Sequence, residues 1–190
     1  SLESDMKSKA IALALLEIIA KNIDIYDATV NAILQRIVIE QFTGKALNKV
    51  ASFLSTISAH SPAKMVEDIK KAFITCNKEE TLNRTLAFCI GTVAATNNEM
   101  FTQLLDLIKK YIVSGQPSPF ALLCVGEIYG LTPIHKDEEL FTTIIKLLTP
   151  EQPRAIFGAA AKAIGCITAG NPKEILSLLL KEADENEANF

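Results

Sequence analysis

One six-residue pattern recurs five times along the chain: an aliphatic residue, a variable one, any residue, Ile or Val, any residue, then Ala or Gly. The copies begin at Leu15, Leu54, Ile90, Val125 and Ile164, so the steps between them are 39, 36, 35 and 39 residues. Each copy sits among helix-forming residues and apolar stripes at helical spacing. A repeat of this length predicts a helical solenoid, in which each unit is a helical hairpin that cannot bury its apolar face alone.

The expected fold is therefore all-α, an α-α superhelix of about five two-helix repeats forming a single domain. The units are placed at 3–42, 43–76, 77–115, 116–149 and 150–184, with 185–190 as a frayed acidic tail. The first helix of each unit carries the motif. Its inward stripe is expected to include Leu15, Ile18 and Ile19 in the first unit and Leu82, Leu86, Ile90 and Val93 in the third. Ser61-Pro62 reads as a helix start, Asn97-Asn98 as a turn, and the segment 114–119 as the strongest break. The third unit's first helix is expected from Lys78 to Thr96. Gly170 reads as a helix C-terminal cap. Gly165 is expected at a tight interhelical contact, where Leu would destabilise by several kcal/mol. The first helix and the last unit are apolar on most sides, which reads as interior repeats with exposed ends and predicts self-association. Ser1-Leu2, with no initiator methionine, reads as an expression remnant, and the chain as a piece of something longer.

Composition narrows the function classes. The net charge of −3, with Lys and Arg scattered, argues against a nucleic-acid partner. No apolar run reaches membrane-spanning length, so no membrane partner is expected. The four cysteines, Cys76, Cys89, Cys124 and Cys166, lack metal-site spacing. Cys89 and Cys124 occupy the same slot just ahead of the motif, which predicts buried reduced thiols and a cytoplasmic or nuclear setting. No phosphate-binding loop is present. His60 and His135 fall at helix ends or linkers and read as surface or capping residues. Glu17 and Glu127 share a mixed polar slot that faces solvent or a repeat boundary. Catalytic, cofactor-binding and metal-binding residues are thus all expected to be absent, and the chain is expected not to be an enzyme.

The second helix of each unit normally lines the concave side of such a stack. Lys70-Lys71 and Lys109-Lys110 are repeat-equivalent there, and Arg36 sits late in the corresponding helix of the first unit. Together they form a candidate basic strip for an acidic protein surface.

The repeats resemble HEAT repeats, and several segments are more specific. Glu3 to Met6 leading into an Ala-rich helix resembles an interior repeat of the cullin-associated, neddylation-dissociated protein family. Ala121-Leu122-Leu123-Cys124-Val125-Gly126-Glu127-Ile128 resembles that family's LLSLGE helix, and Ala159 to Asn171 its next helix, with Gly165, Ile167, Gly170 and Asn171 in the matching places. The turn from Tyr129 to Lys136 departs from the family pattern. The resemblance implies a long solenoid that wraps cullin–RING ubiquitin ligase scaffolds lacking the ubiquitin-like modifier, competes with substrate-receptor modules and promotes their exchange. A HEAT adaptor of another class, such as a nuclear transport receptor or a phosphatase scaffold, is the alternative expectation.

Overall fold

A computed structural model of the chain describes residues 14–15, 18–19, 21–78, 82–113, 115 and 117–187, with backbone alone for 185–187. Among the described residues there are nine named helices and no strand. They are α1 (Ile23–Ile39), α2 (Gly44–His60), α3 (Pro62–Lys78), α4 (Arg84–Ala94), α5 (Asn98–Val113), α6 (Pro119–Leu131), α7 (Glu138–Ile145), α8 (Arg154–Gly170) and α9 (Pro172–Glu187). Residues 14, 15, 18, 19 and 21 are also helical. Residues 1–13, 16, 17 and 20, with Glu3 to Met6 and Glu17 among them, lie outside the described residues.

Local chemistry sets the boundaries. Side-chain oxygens of Asn22, Asn83, Asn97, Ser118 and Asp137 accept hydrogen bonds from amides in the first turns of α1, α4, α5, α6 and α7. Such caps are worth about 1 kcal/mol each. Pro62, Pro119 and Pro172 open α3, α6 and α9, where a missing N–H costs nothing. The third motif-bearing helix starts at Arg84 rather than at Lys78, because α3 runs on to Lys78 and Asn83 takes the cap. Asn83 is buried and also donates to the carbonyls of Ile37 (2.7 Å) and Val38 (3.3 Å). One side chain thus closes the end of α1 and starts α4. Leu82, in the segment ahead of this cap, is exposed rather than inward. The acidic end is helical as far as Glu187.

The helices divide into two layers. The motif-bearing helices pack in order, α2 on α4, α4 on α6, and α6 on α8, the last being the most extensive contact. Of the intervening helices, α1 packs on α3, α3 on α5, and α7 on α9. This order is consistent with a helical repeat. The motif supplies the core between the layers: Leu54, Ile90, Val125 and Ile164 at its first position are buried, as are Ile57, Val93, Ile128 and Ile167 at its fourth. Phe73 of α3 packs between Tyr111 of α5 and Phe120 of α6, and Tyr129 of α6 packs between Phe101 and Phe141. The first copy differs, with Leu15 and Ile18 more than half exposed and only Ile19 packed against the core. Of the expected inward stripe, Leu15 and Ile18 are therefore exposed and Ile19 alone meets the core.

The second motif position governs how the motif helices meet. A Cβ on Gly91 would lie 2.8 Å from the backbone of Glu127, and one on Gly126 would lie 2.7 Å from Ala163 Cα. Where this position is Ser55, hydroxyls carry the contact instead, with Ser55 Oγ 3.1 Å from Thr96 Oγ1. Gly165 is the counterpart on α8, yet a Cβ there would meet nothing within 4 Å. The expected tight contact is therefore at Gly126, and Gly165 points away from the stack. Gly170 is also not a left-handed cap. It ends α8, and its missing side chain lets the turn after α6 approach: a Cβ on Gly170 would lie 2.9 Å from Pro133 Cβ.

Candidate functional site

The five residues of the expected basic strip do lie on successive helices of the second layer: Arg36 on α1, Lys70 and Lys71 on α3, and Lys109 and Lys110 on α5. Four of them are already paired with carboxylates. Arg36 Nε is 2.8 Å from Glu40, Lys70 3.2 Å from Glu67, Lys71 3.5 Å from Asp68 and Lys109 2.6 Å from Asp137. Lys110 is exposed in the last turn of α5. The face therefore carries alternating charge and not a positive stripe. The pairs were readable in part, since Glu67–Lys70, Asp68–Lys71 and Arg36–Glu40 have the three- and four-residue spacing that places side chains together on a helix. The Lys109–Asp137 pair was not, because it joins residues 28 apart.

Asp137 is held by three hydrogen bonds. Its Oδ1 caps α7 through the Leu140 amide at 3.1 Å. Its Oδ2 accepts from Lys109 Nζ at 2.6 Å and from the Tyr129 hydroxyl at 3.3 Å. Burial pushes this carboxyl up, but the Lys109 ammonium, the Leu140 amide and the Tyr129 hydroxyl outweigh it and hold Asp137 below its usual range. The same burial and the adjoining carboxylate push the Tyr129 phenol up. Asp137 thus pins the long linker before α7 to α5 and α6. His135 of this linker is not a plain surface residue: its ring stacks on Phe101 with centroids 3.9 Å apart. His60 is exposed in the last turn of α2.

A second polar seam runs between α6 and α8. Glu127 is half-buried there, with Cys166 Sγ 3.9 Å from its Oε1. Burial raises the Glu127 carboxyl despite Lys162 and Cys166 nearby. The polar slot that Glu127 occupies therefore faces a repeat boundary. Cys76, Cys89 and Cys124 are buried thiols, while Cys166 is half-buried. Burial pushes the Cys89 thiol up to about 12 and the Cys124 thiol well up. Among the described residues, no three or more His, Cys, Asp or Glu stand together in a way that could hold a metal ion. None of the described helices is long and apolar enough to cross a membrane.

On the second layer a cleft of about 310 Å³ lies between α1 and α3, lined by Leu34, Val38 and Ala72 with Asn31, Gln35 and Asp68 among its polar residues. Asp68 carries no signal of its own in the sequence, where the lysine pair beside it is the more conspicuous feature. No family model, curated protein or solved structure matches the chain.

Proposed function

We propose that the chain is a protein-binding scaffold, a HEAT-type solenoid segment of a regulator that binds cullin–RING ubiquitin ligase scaffolds and exchanges their substrate-receptor modules. The observation that carries the architectural half is the register of the motif helices: Gly91 and Gly126, one repeat apart, each receive the backbone of the next motif helix. A stack joined in this way presents long helix faces, which suits a protein partner better than a small substrate. The cullin half rests on the resemblance of the segments around Gly126-Glu127 and from Ala159 to Asn171. In this reading the chain is not an enzyme, works in the cytoplasm or nucleus, and takes neither cofactor, nucleic acid nor membrane as a partner.

The partner lies against the α1–α3–α5 layer, with Arg36, Lys70, Lys71, Lys109 and Lys110 as its contacts. The Arg36–Glu40 and Lys70–Glu67 pairs are largely exposed and weak, worth under about 1 kcal/mol each, so a partner carboxylate can replace them, whereas Lys71 and Lys109 would have to leave the buried Asp68 and the half-buried Asp137. The outer face of α8 and the exposed Leu15 and Ile18 support self-association in the same reading, which sedimentation over a range of concentrations would reveal.

The test is a pull-down with the immobilised chain and a cullin scaffold, with and without its ubiquitin-like modifier. Retention of the unmodified scaffold, weakened by Lys110→Glu with Arg36→Glu, is the expected result. Equal retention of both forms, or of neither, overturns the cullin reading.

A further inference from the structure

We infer that the cleft between α1 and α3 is a socket for a lysine or arginine side chain presented by a partner protein. This deepens the reading of the second layer as a binding face and rests on that reading.

Size comes first. At about 310 Å³ the cleft sits at the low end of the roughly 300–1,000 Å³ typical of ligand sites. That is room for one side chain and too little for a helix. Its walls are the apolar Leu34, Val38 and Ala72, which suit the methylene stem of a long basic side chain.

The carboxylate of Asp68 supplies the charge. Its side chain is 3% exposed. Among the described residues Asp68 Oδ2 is buried with no hydrogen-bond partner, and Oδ1 accepts from Lys71 Nζ at 3.5 Å, the outer limit of a hydrogen bond. Lys71 reaches it from solvent, being 75% exposed. Lys64, on the same helix, is ion-paired with Asp27 while also feeling the Asp68 charge, and the buried Tyr26 hydroxyl feels that charge too, with no hydrogen-bond partner of its own among the described residues. A buried carboxylate whose second oxygen accepts no hydrogen bond favours a cation with several donors. An anionic ligand meets repulsion at the same point.

The rim points to a protein as the source of that cation. Asn31 and Gln35, one helical turn apart on α1, are exposed at the cleft, and Thr75 stands across from them on α3. Amides and a hydroxyl in these places can hydrogen-bond the backbone on either side of an inserted side chain, which a free amine does not have.

The experiment is a heteronuclear NMR titration of the full chain with four capped tripeptides, Ala-X-Ala, where X is lysine, arginine, norleucine or glutamate. Saturable shifts of the Gln35, Ala72 and Thr75 amides are expected with lysine and arginine, and none with norleucine or glutamate. Asp68→Asn keeps the shape of the cleft and is expected to weaken lysine-peptide binding at least about tenfold. Lys71→Gln removes the competing ammonium and is expected to tighten it. Equal binding of norleucine, an unaffected Asp68→Asn variant, or weaker binding by Lys71→Gln would each overturn the socket. A chain that ignores the cullin scaffold yet passes the peptide titration loses its family reading and keeps the socket.

Discussion

The two sides of α8 carry the same kinds of residue and live in different surroundings. On the inward side Ala159, Ala160, Ala163, Ile164 and Ile167 are buried, and Ala163 Cα lies against Gly126 of α6. On the outward side Gly158, Ala161, Gly165 and Ala169 are exposed, with Phe157 beside them. In repeat register, Ala161 and Gly165 match Ala87 and Gly91 of α4 and Leu122 and Gly126 of α6, all buried. Smallness at these positions is therefore not a property of local sequence. It permits close approach where a following motif helix lies over it, and does nothing visible where none does.

The largest expected effect separates the two faces directly. Gly126→Leu must displace the α8 backbone, since even a Cβ would lie 2.7 Å from Ala163 Cα. The expected loss is about 3 kcal/mol. For a chain of this size that lowers Tm by about 6–12 °C. Gly165→Leu meets open space and gains helix propensity, so its stability should rise by up to about 1 kcal/mol. Calorimetric melts of the two variants decide the matter. A large loss at Gly165 would mean that a second copy of the chain covers that face in solution.

A milder pair sharpens the same contrast. Ala163→Val adds volume at the buried contact and should cost about 1–3 kcal/mol. Ala161→Val, two residues away on the exposed side, should cost only the helix-propensity difference, about 0.5 kcal/mol. Denaturant unfolding with an unchanged slope would report both as stability effects.

These positions show what a sequence can and cannot reveal in a repeat. In the last four copies the motif's first and fourth positions were legible because their burial follows from helical periodicity, and Ile57, Val93, Ile128 and Ile167 are inside as that requires, while Leu15 and Ile18 of the first copy are exposed. Helix starts at Asn97, Ser118 and the prolines were legible because capping is local chemistry. Gly165 misled because its sequence surroundings copy those of Gly126, and only the neighbour across the gap distinguishes them. Asn83 was missed because its reason for being there lies at Ile37 and Val38, 46 and 45 residues away. On the candidate binding face, like-charged pairs drew attention to Lys70-Lys71, while their partners Glu67 and Asp68 stood three residues earlier.

Acidity probes the seam more gently. Burial raises the folded-state pKa of Glu127 above its ordinary 4.5. Folded chains then bind a proton more readily than unfolded ones, so this group's penalty is full at neutral pH and fades as pH falls through the folded pKa towards 4.5. Glu127→Gln should therefore stabilise the chain most at neutral pH, and its advantage over the parent should shrink on acidification. Asp137 gives the opposite slope, because its folded pKa lies below 3.8: its contribution is present above 3.8 and lost as pH falls through the folded pKa. Thermal melts from neutral pH to pH ~4, within the window these ordinary values set, test the sign for Glu127. An advantage that grows on acidification would contradict a carboxyl penalised by burial.

The smallest expected effect is a rate. Cys166 sits half-buried in the seam, and its thiol is raised first by burial and then by the negative charge of Glu127. Removing that charge in Glu127→Gln lowers the thiol pKa and increases the thiolate fraction, which is the form that reacts. Iodoacetamide at mildly alkaline pH should then modify Cys166 faster than in the parent. Cys89 and Cys124, buried on the inward faces of α4 and α6, should stay unmodified in both chains while the fold persists. Peptide mapping of the alkylated protein resolves the sites. Equal acceleration at Cys124 would mean that the substitution loosens the whole stack, because a charge effect confined to the α6–α8 seam cannot open a thiol that no solvent reaches.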